Sequence, residues 1–375
     1  MVKRAMVVNI FLFPLTFPLS PIYQIGLYSN RFERPRMNLK ELSEVLGLSP
    51  TTVSRALNGY PEVSEATRRK VKAAASAHGY RPNSRARGLA TGRSLTIGHV
   101  IPISSKHEMV NPIFTDFIAG AGETYARAGY DMQLSIVSDE DEEHAYRDFA
   151  AKGKVDGVIV HAPRAPDPRI EFLTEIGLPF LVHGRATNEA DYSWLDVNNK
   201  SAFKRAAEFL LDLGHRRIAL INGPEGLNFA VRRRAGYEEA LAGAGVAPDA
   251  ALMTSEDMTE TYGWRAANDM LARAAAPTAF LVSSIISGIG VRRAAQDHGL
   301  TIGRDVSIVV HDDEISYLRN EGAPPMFTAT RSSVREAGRR AAELLLEMIA
   351  KPGETRQELW EAQLIVGAST GPAPK

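Results

Sequence analysis

From Leu95 onward the chain alternates between two hydrophobic periods, and this alternation constrains the fold more than any other feature. Short apolar runs stand at 97–101, 132–137, 155–160, 180–182, 217–221, 278–282 and 306–310. Amphipathic stretches of helical spacing separate them, at 114–128, 143–150, 201–213, 233–241, 262–272 and 290–297. A strand that returns through a helix re-enters the sheet in the same direction, so the pattern predicts parallel sheets with helices on their faces. Two sets of such strands predict two subdomains, with a ligand cleft where strand ends meet. Gly120 with Gly122, and Gly288 with Gly290, look like fragments of a dinucleotide fingerprint. Positions 125 and 293 are Tyr and Arg, so the third glycine is missing and the pairs read as helix-packing glycines.

The segment before this body has a different grammar. Asn38 is a good N-cap, and Leu39, Leu42, Val45 and Leu46 recur at helical spacing up to Gly47. Ser49 caps a second helix over 50–58 with Pro50 in its first position, and Val53 and Leu57 point to a core. A third helix starts after Ser64, carries Val71, Ala74 and Ala75 on its apolar side, and ends at Gly79. Two short helices joined by a glycine-bearing turn make a helix-turn-helix. The second helix presents small hydroxyls (Ser49, Thr51, Thr52, Ser54) and Arg55. Small polar residues let a helix backbone approach phosphate and let one arginine reach a guanine edge.

Charge separates the two parts. The whole chain is neutral, with 44 basic and 44 acidic residues. Residues 37–93 nevertheless hold ten basic against four acidic side chains, a net +6, and 94–375 carry −10. A basic head on an acidic body is the asymmetry of a nucleic-acid-binding module joined to something else. Absence of cysteine excludes disulfides, thiolate nucleophiles and cysteine-bearing metal sites, and no HExxH pair occurs. No cofactor is expected, and no triad or metal-ligand spacing argues for an enzyme.

The stretches TTVSRALNG, VSEATR and GYRPN, in this order, resemble the LacI/GalR family of bacterial transcription regulators. The resemblance continues through VDGVIV (155–160), LGHRRIALI (213–221), PTAFLV (277–282) and DVSIVVHDDE (305–314). It implies a helix-turn-helix three-helix domain and a hinge, joined to a two-subdomain α/β body like that of periplasmic sugar-binding proteins. In that plan 37–83 bind DNA, 84–94 form the hinge, and 95–375 bind effector and dimerise. The N-subdomain takes about 95–197 and 333–357, the C-subdomain about 198–332 and 358–375.

By the same resemblance Pro50, Thr51 and Arg55 read bases. Ser49, Thr52, Ser54, Asn58 and Tyr80 touch phosphate or position the helix. Asn83, Arg85 and Leu89 belong to the hinge, where Leu89 would wedge into a minor-groove step with its dimer mate. Arg233 and Asp312 match a charged pair that holds sugar hydroxyls, with Asp313 competing for the carboxylate role. A guanidinium fork and a carboxylate together satisfy vicinal hydroxyls. His183 and Arg185, Ser284, and the aromatic residues Phe114, Trp194 and Trp264 are further candidates for the cleft. Ser284-Ile285 replaces a pair that often carries aspartate in the family, and Gly184 replaces an aspartate of the lactose repressor, so the pocket differs from that repressor's. The wording SWLDVNN (193–199) and FTATRSSVREAGRRAAE (327–343) looks like the α-glucoside-utilisation branch.

The implied function is a cytoplasmic repressor that binds a pseudo-palindromic operator as a homodimer under control of a small sugar. Induction and corepression both fit. A sugar-binding protein of periplasmic type without a DNA role is the rival; it explains the body but not the head. No leucine heptads follow Leu359, which argues against a coiled-coil tetramer. The uncharged, proline-interrupted stretch at 5–30 resembles a signal peptide more than a membrane span. Met37 is the expected start, with 1–36 an upstream extension; a disordered or loosely docked tail is the alternative, and export ranks last.

Overall fold

The computed structural model describes residues 37–80, 93–102 and 111–375. The expected extension 1–36 and the hinge residues Asn83, Arg85 and Leu89 lie outside the described residues. The chain forms two compact units that part near residue 82.

The first unit is three helices: α1 (Leu39–Leu46), α2 (Pro50–Leu57) and α3 (Glu65–Ala77). Their limits follow from local chemistry. Asn38 and Glu41 form a reciprocal capping box at α1, and Gly47 ends it in the left-handed conformation at φ 64°. Ser49 caps α2, with Pro50 supplying a helix-ready φ. Ser64 caps α3. Leu42, Leu46, Val53, Ala56, Val63, Val71 and Ala75 make the core. Two sequence expectations shift here. Val45 is 56% exposed, and Ala56 rather than Leu57 is the fully buried partner of Val53.

The second unit holds two six-stranded sheets. One has the order β11-β5-β4-β3-β1-β2, the other β12-β10-β9-β8-β6-β7. In the first lobe β1 is Thr96–Pro102, β2 Asp131–Val137, β3 Gly157–Val160, β4 Phe180–His183, β5 Trp194–Val197 and β11 Gln357–Trp360, all parallel. In the second, β6 is Ile218–Asn222, β7 Met253–Ser255, β8 Ala279–Val282, β9 Ser307–Asp312 and β10 Thr328–Arg331, parallel, with β12 (Gln363–Ile365) antiparallel at the edge. The helices are α4 (Pro112–Ala128), α5 (Glu142–Ala151), α6 (Pro168–Glu175), α7 (Asn199–Asp212), α8 (Asn228–Gly243), α9 (Glu260–Leu271), α10 (Ile285–Asp297) and α11 (Val334–Ala350).

All seven expected strands are present. Five more (β5, β7, β10, β11, β12) are only three or four residues long, too short or too polar to stand out. The chain passes between lobes three times: after β5, after β10 and after β11. Because β11 pairs with β5, the last passage falls after Trp360, not at the expected 357/358 boundary. No helix of the described residues is long and apolar enough to cross a membrane.

Three helix pairs cross so closely that only glycine fits. A Cβ on Gly120 would overlap the Arg335 carbonyl oxygen, and one on Gly338 the Phe117 carbonyl, where α4 meets α11. Gly236 meets Lys200 where α8 crosses α7; Gly263 and Gly290 meet Ser287 and Glu260 where α9 crosses α10. Of the glycines that mimic a nucleotide fingerprint, Gly120 and Gly290 are thus helix-packing glycines, Gly288 lies against Val310, and Gly122 has no close backbone neighbour. Gly263→Ala is expected to lower stability by about 1–3 kcal/mol, the usual cost of overpacking, seen as an earlier thermal unfolding midpoint. Gly122→Ala is the control: its Cβ would meet only the flexible Met132 Cε at 3.3 Å, and stability should hold or rise.

Candidate functional site

On the helix-turn-helix, Ser49, Pro50, Thr51, Arg55 and Asn58 are exposed, and Thr52 and Ser54 are partly so. The Ser49 hydroxyl accepts from the Thr52 N–H at 3.1 Å and pairs with its hydroxyl at 2.8 Å, which rigidifies the start of α2. Asn58 Nδ2 donates to Ser54 Oγ at 3.4 Å. Arg55 makes no ion pair among the described residues, whereas Arg68 on α3 is held by Glu65 at 3.2 Å and by the Val63 carbonyl. Tyr80 is partly buried against the three-helix core, a positioning place.

In the second unit, strand ends of both lobes converge. Arg233, on α8, is only 5% exposed. Its Nε donates to Asn199 Oδ1 at 2.8 Å and its Nη1 to the Ser283 carbonyl at 2.6 Å. The guanidinium lies 5.0 Å from the Phe203 ring and 4.9 Å from that of Phe229, two cation–π contacts. Burial pulls its pKa down to about 10, opposed by the charges of Asp313 and Asp196, so it stays protonated at neutral pH. Nη2 carries no hydrogen bond among the described residues.

Asp312 is buried but does not pair with Arg233. Its Oδ1 accepts from the Glu314 N–H at 2.9 Å and its Oδ2 from Arg331 Nε at 3.3 Å. It opens on a polar cavity of about 460 Å³ shared with Glu314, Arg331 and Arg335. Asp313 is the carboxylate whose charge acts on both Arg233 and His183. It also approaches His311 Nε2 at 3.4 Å.

The facing lobe supplies a cluster of rings. His183, at the end of β4, stacks on Phe117 at 4.2 Å. His161, just after β3, stands edge-on to Phe114 and Phe117 at 5.0 and 5.1 Å. Its Nε2 meets His99 Nδ1 at 2.9 Å. Burial lowers the pKa of His99 to about 3 and of His183 to about 4, and holds His161 well below the usual value. Arg169 donates to the His161 carbonyl at 3.0 Å and pairs with Asp167 and Glu142, which fixes the loop after β3. Ala162 (φ 47°) and Glu314 (φ 52°) hold left-handed backbone directly beside these residues. Such strain in non-glycine residues clusters at functional sites.

Two sets of hydrogen bonds bridge the lobes. The Asn228 N–H donates to the Pro163 carbonyl at 2.9 Å, and its side chain to the Arg185 carbonyl. Opposite, Asp116 accepts from the Ser316 N–H at 2.5 Å and from its hydroxyl at 2.7 Å.

The structure thus brings Arg233, His183 and Phe114 to the strand ends, and adds Asp313, His161, Phe203 and Phe229. Ser284 is fully buried and caps α10 by accepting from the Ile286 N–H at 3.1 Å. Trp264 is not part of this assembly. Its Nε1 donates to Asp297 at the far end of α10, 2.8 Å away, and Arg293 covers its ring, so it staples two outer helices. Trp194 starts β5 under the Arg185 guanidinium at 4.8 Å, while Arg185 Nε bonds Asp196 at 2.8 Å. Apolar aromatic content alone could not separate these roles. A histidine directly after an apolar strand run was the available signal for His161.

A helix-turn-helix head and a two-lobed α/β body with a polar cleft define a ligand-responsive DNA-binding protein as the class. Residues 38–83 match the model of bacterial regulatory proteins of the lacI family, and 207–370 that of a periplasmic binding protein-like domain. The HTH-type transcriptional regulator AglR of Rhizobium meliloti (strain 1021) is 48% identical over 340 residues, covering 90% of this chain and 95% of that one. The structure of a CelR–cellobiose complex is 29% identical with a TM-score of 0.65, over 89% of this chain and all of that one. The lac repressor dimer bound to operator and the anti-inducer ONPF is 26% identical with a TM-score of 0.75, over 89% of this chain and 99% of that one. The chain belongs to the LacI family of helix-turn-helix transcriptional regulators.

The neutral histidines carry a pH signature. Unfolded histidine binds a proton near pH 6.5, whereas His99 and His183 stay neutral in the fold down to about 3 and about 4. Stability is therefore complete above pH 6.5 and lost as pH falls through it. At pH 5 each of the two buried rings should withdraw about 2 kcal/mol. Thermal unfolding of the second unit at pH 7 and pH 5 measures this, and His183→Phe should flatten part of the difference.

Proposed function

We propose that this regulator is a cytoplasmic repressor whose operator affinity is set by a small neutral sugar bound between the lobes. The single observation that carries this is Arg233: a buried guanidinium, fixed by two hydrogen bonds and two rings, with one N–H pair left unused at the strand ends. That pair is not among the buried unpartnered donors, so it is open to an incoming group, and the arrangement suits a ligand that supplies an oxygen. The Asp313 charge acts on both Arg233 and His183, which makes it the carboxylate acceptor for the same ligand in this reading. Neutral histidines on the facing wall suit an uncharged ligand, and Phe114 offers an apolar face. Similarity to AglR favours an α-glucoside, and the cellobiose found in the CelR complex shows what size of sugar a relative accommodates.

In this reading 37–83 are the DNA-binding head, 84–94 the hinge and 95–375 the effector and dimerisation unit. Two heads related by two-fold symmetry read two half-sites. Exposed, unpaired Arg55 is the guanine reader, Thr51 and Pro50 shape the contact, and the hydroxyls of Ser49, Thr52 and Ser54 with Asn58 and Tyr80 serve the phosphates. Asn83, Arg85 and Leu89 complete the hinge contact. Sugar binding acts through its affinity difference between the open and closed arrangements of the lobes.

The test selects an operator from random duplexes and titrates the complex with mono- and disaccharides. Release or tightening by one α-glucoside is expected; indifference to every sugar would remove the effector reading. Arg233→Met should weaken sugar binding by tenfold or more, about 1.4 kcal/mol, without changing operator affinity in the absence of sugar. Arg55→Ala should cost about 1–3 kcal/mol of discrimination at one base pair, and an unchanged sequence preference counts against its role.

A further inference from the structure

Three rings of the first lobe stand in line: buried Tyr125 on α4, buried His99 on β1 and half-buried His161 after β3. Tyr125 Oη lies 3.4 Å from His99 Nε2, and His99 Nδ1 lies 2.9 Å from His161 Nε2. Proton bookkeeping gives the row a direction. Tyr125 is 1% exposed, and its hydroxyl has no other partner among the described residues. Were it to accept from His99, its own proton would be buried without an acceptor, which a hydroxyl pays for heavily. It therefore donates to His99 Nε2. A neutral imidazole carries one N–H, so His99 holds its proton on Nδ1 and donates it to His161 Nε2. His161 then carries its proton on Nδ1, which makes no hydrogen bond among the described residues. Phe114 and Phe117, both nearly perpendicular to the His161 ring, and the hydrogen bond from His99 oppose a flip that would exchange the nitrogens.

We propose that Tyr125 and His99 are positioning residues that lock His161 as the Nδ1–H tautomer, so that the cleft presents a fixed N–H donor at the end of β3. The inference rests on the reading of the cleft as a ligand site. It adds a selectivity rule: the ligand must place an oxygen with a free lone pair there, a hydroxyl or ether, and an amino sugar whose ammonium falls at this point is rejected.

Two-bond proton–nitrogen spectra of the full-length, 15N-labelled protein without ligand decide the tautomer. The wild type should show His161 protonated at Nδ1 and unprotonated at Nε2. Tyr125→Phe and His99→Leu should each release His161 to a mixture of tautomers. His99→Asn should preserve it, because its side-chain amide can still donate to His161 Nε2. A wild-type His161 protonated at Nε2, or a tautomer unchanged in both Tyr125→Phe and His99→Leu, overturns the proposal. Calorimetric titration of the same samples with maltose and with cellobiose reads the consequence: roughly five- to tenfold weaker binding in Tyr125→Phe, and near wild-type binding in His99→Asn. If neither sugar binds the wild type, the ligand reading fails while the spectra still decide the tautomer.

Discussion

A cation buried away from water must be paid back by its surroundings, and Arg233 imposes that demand on the whole second unit. Asn199 and Phe203 answer from α7, Ser283 from the turn after β8, and Phe229 from α8 itself. The two groups from α7 come close to the guanidinium at the crossing of α7 and α8, where a side chain on Gly236 would collide with the Lys200 carbonyl. The close crossing and the prepared fork are thus one feature. Because the supporting groups are drawn from three elements of one lobe, the fork is rigid before any ligand arrives, which lowers the ordering cost of binding.

The opposite wall is built on a different principle. Here burial, not pairing, sets the charge: His99, His161 and His183 are all held neutral. Protonated His161 would be repelled by the neighbouring rings if they were charged and by Arg169. Neutrality leaves one charged pole, Arg233 with Asp313, facing an uncharged wall of rings and N–H groups. A polyhydroxylated neutral molecule suits such a cleft better than an anion, which would find Asp313 against it.

How much of this was legible in the sequence depended on whether local chemistry or tertiary placement decided the outcome. Helices α1 to α3 were legible to within a residue, since Asn38, Ser49, Ser64 and Gly47 act through bonds to their own neighbours. The apolar strands were legible because a buried parallel strand must be apolar on both faces. β10 was not: Thr328 and Thr330 are fully buried yet polar, their hydroxyls satisfied by Thr370 and His311. In the site, the spacing of the family pointed to Arg233, but choosing between Asp312 and Asp313 required the turn that ties Asp312 to Arg331 and the Glu314 N–H. Trp264 and Phe114 looked alike as aromatic residues. Only the register of α9 on α10 sends the tryptophan to Asp297 and away from the strand ends.

The charge division acquires a structural form in the same way. The body is rich in arginine, yet many of its surface guanidinium groups are met by carboxylates: Arg234 by Glu225 and Glu238, Arg335 by Glu123 and Asp116, and Arg340 by Glu343, Glu347 and Glu358. Each exposed pair contributes little to stability. Together they reduce the basic groups available to a phosphate backbone, and the excess of acid repels it. Arg55 on α2 is exposed and unpaired, among small hydroxyls that keep the helix surface thin. The same residue type therefore stands in opposite settings in the two units: these body arginines are held by carboxylates, whereas Arg55 on α2 is exposed and without an ion pair among the described residues.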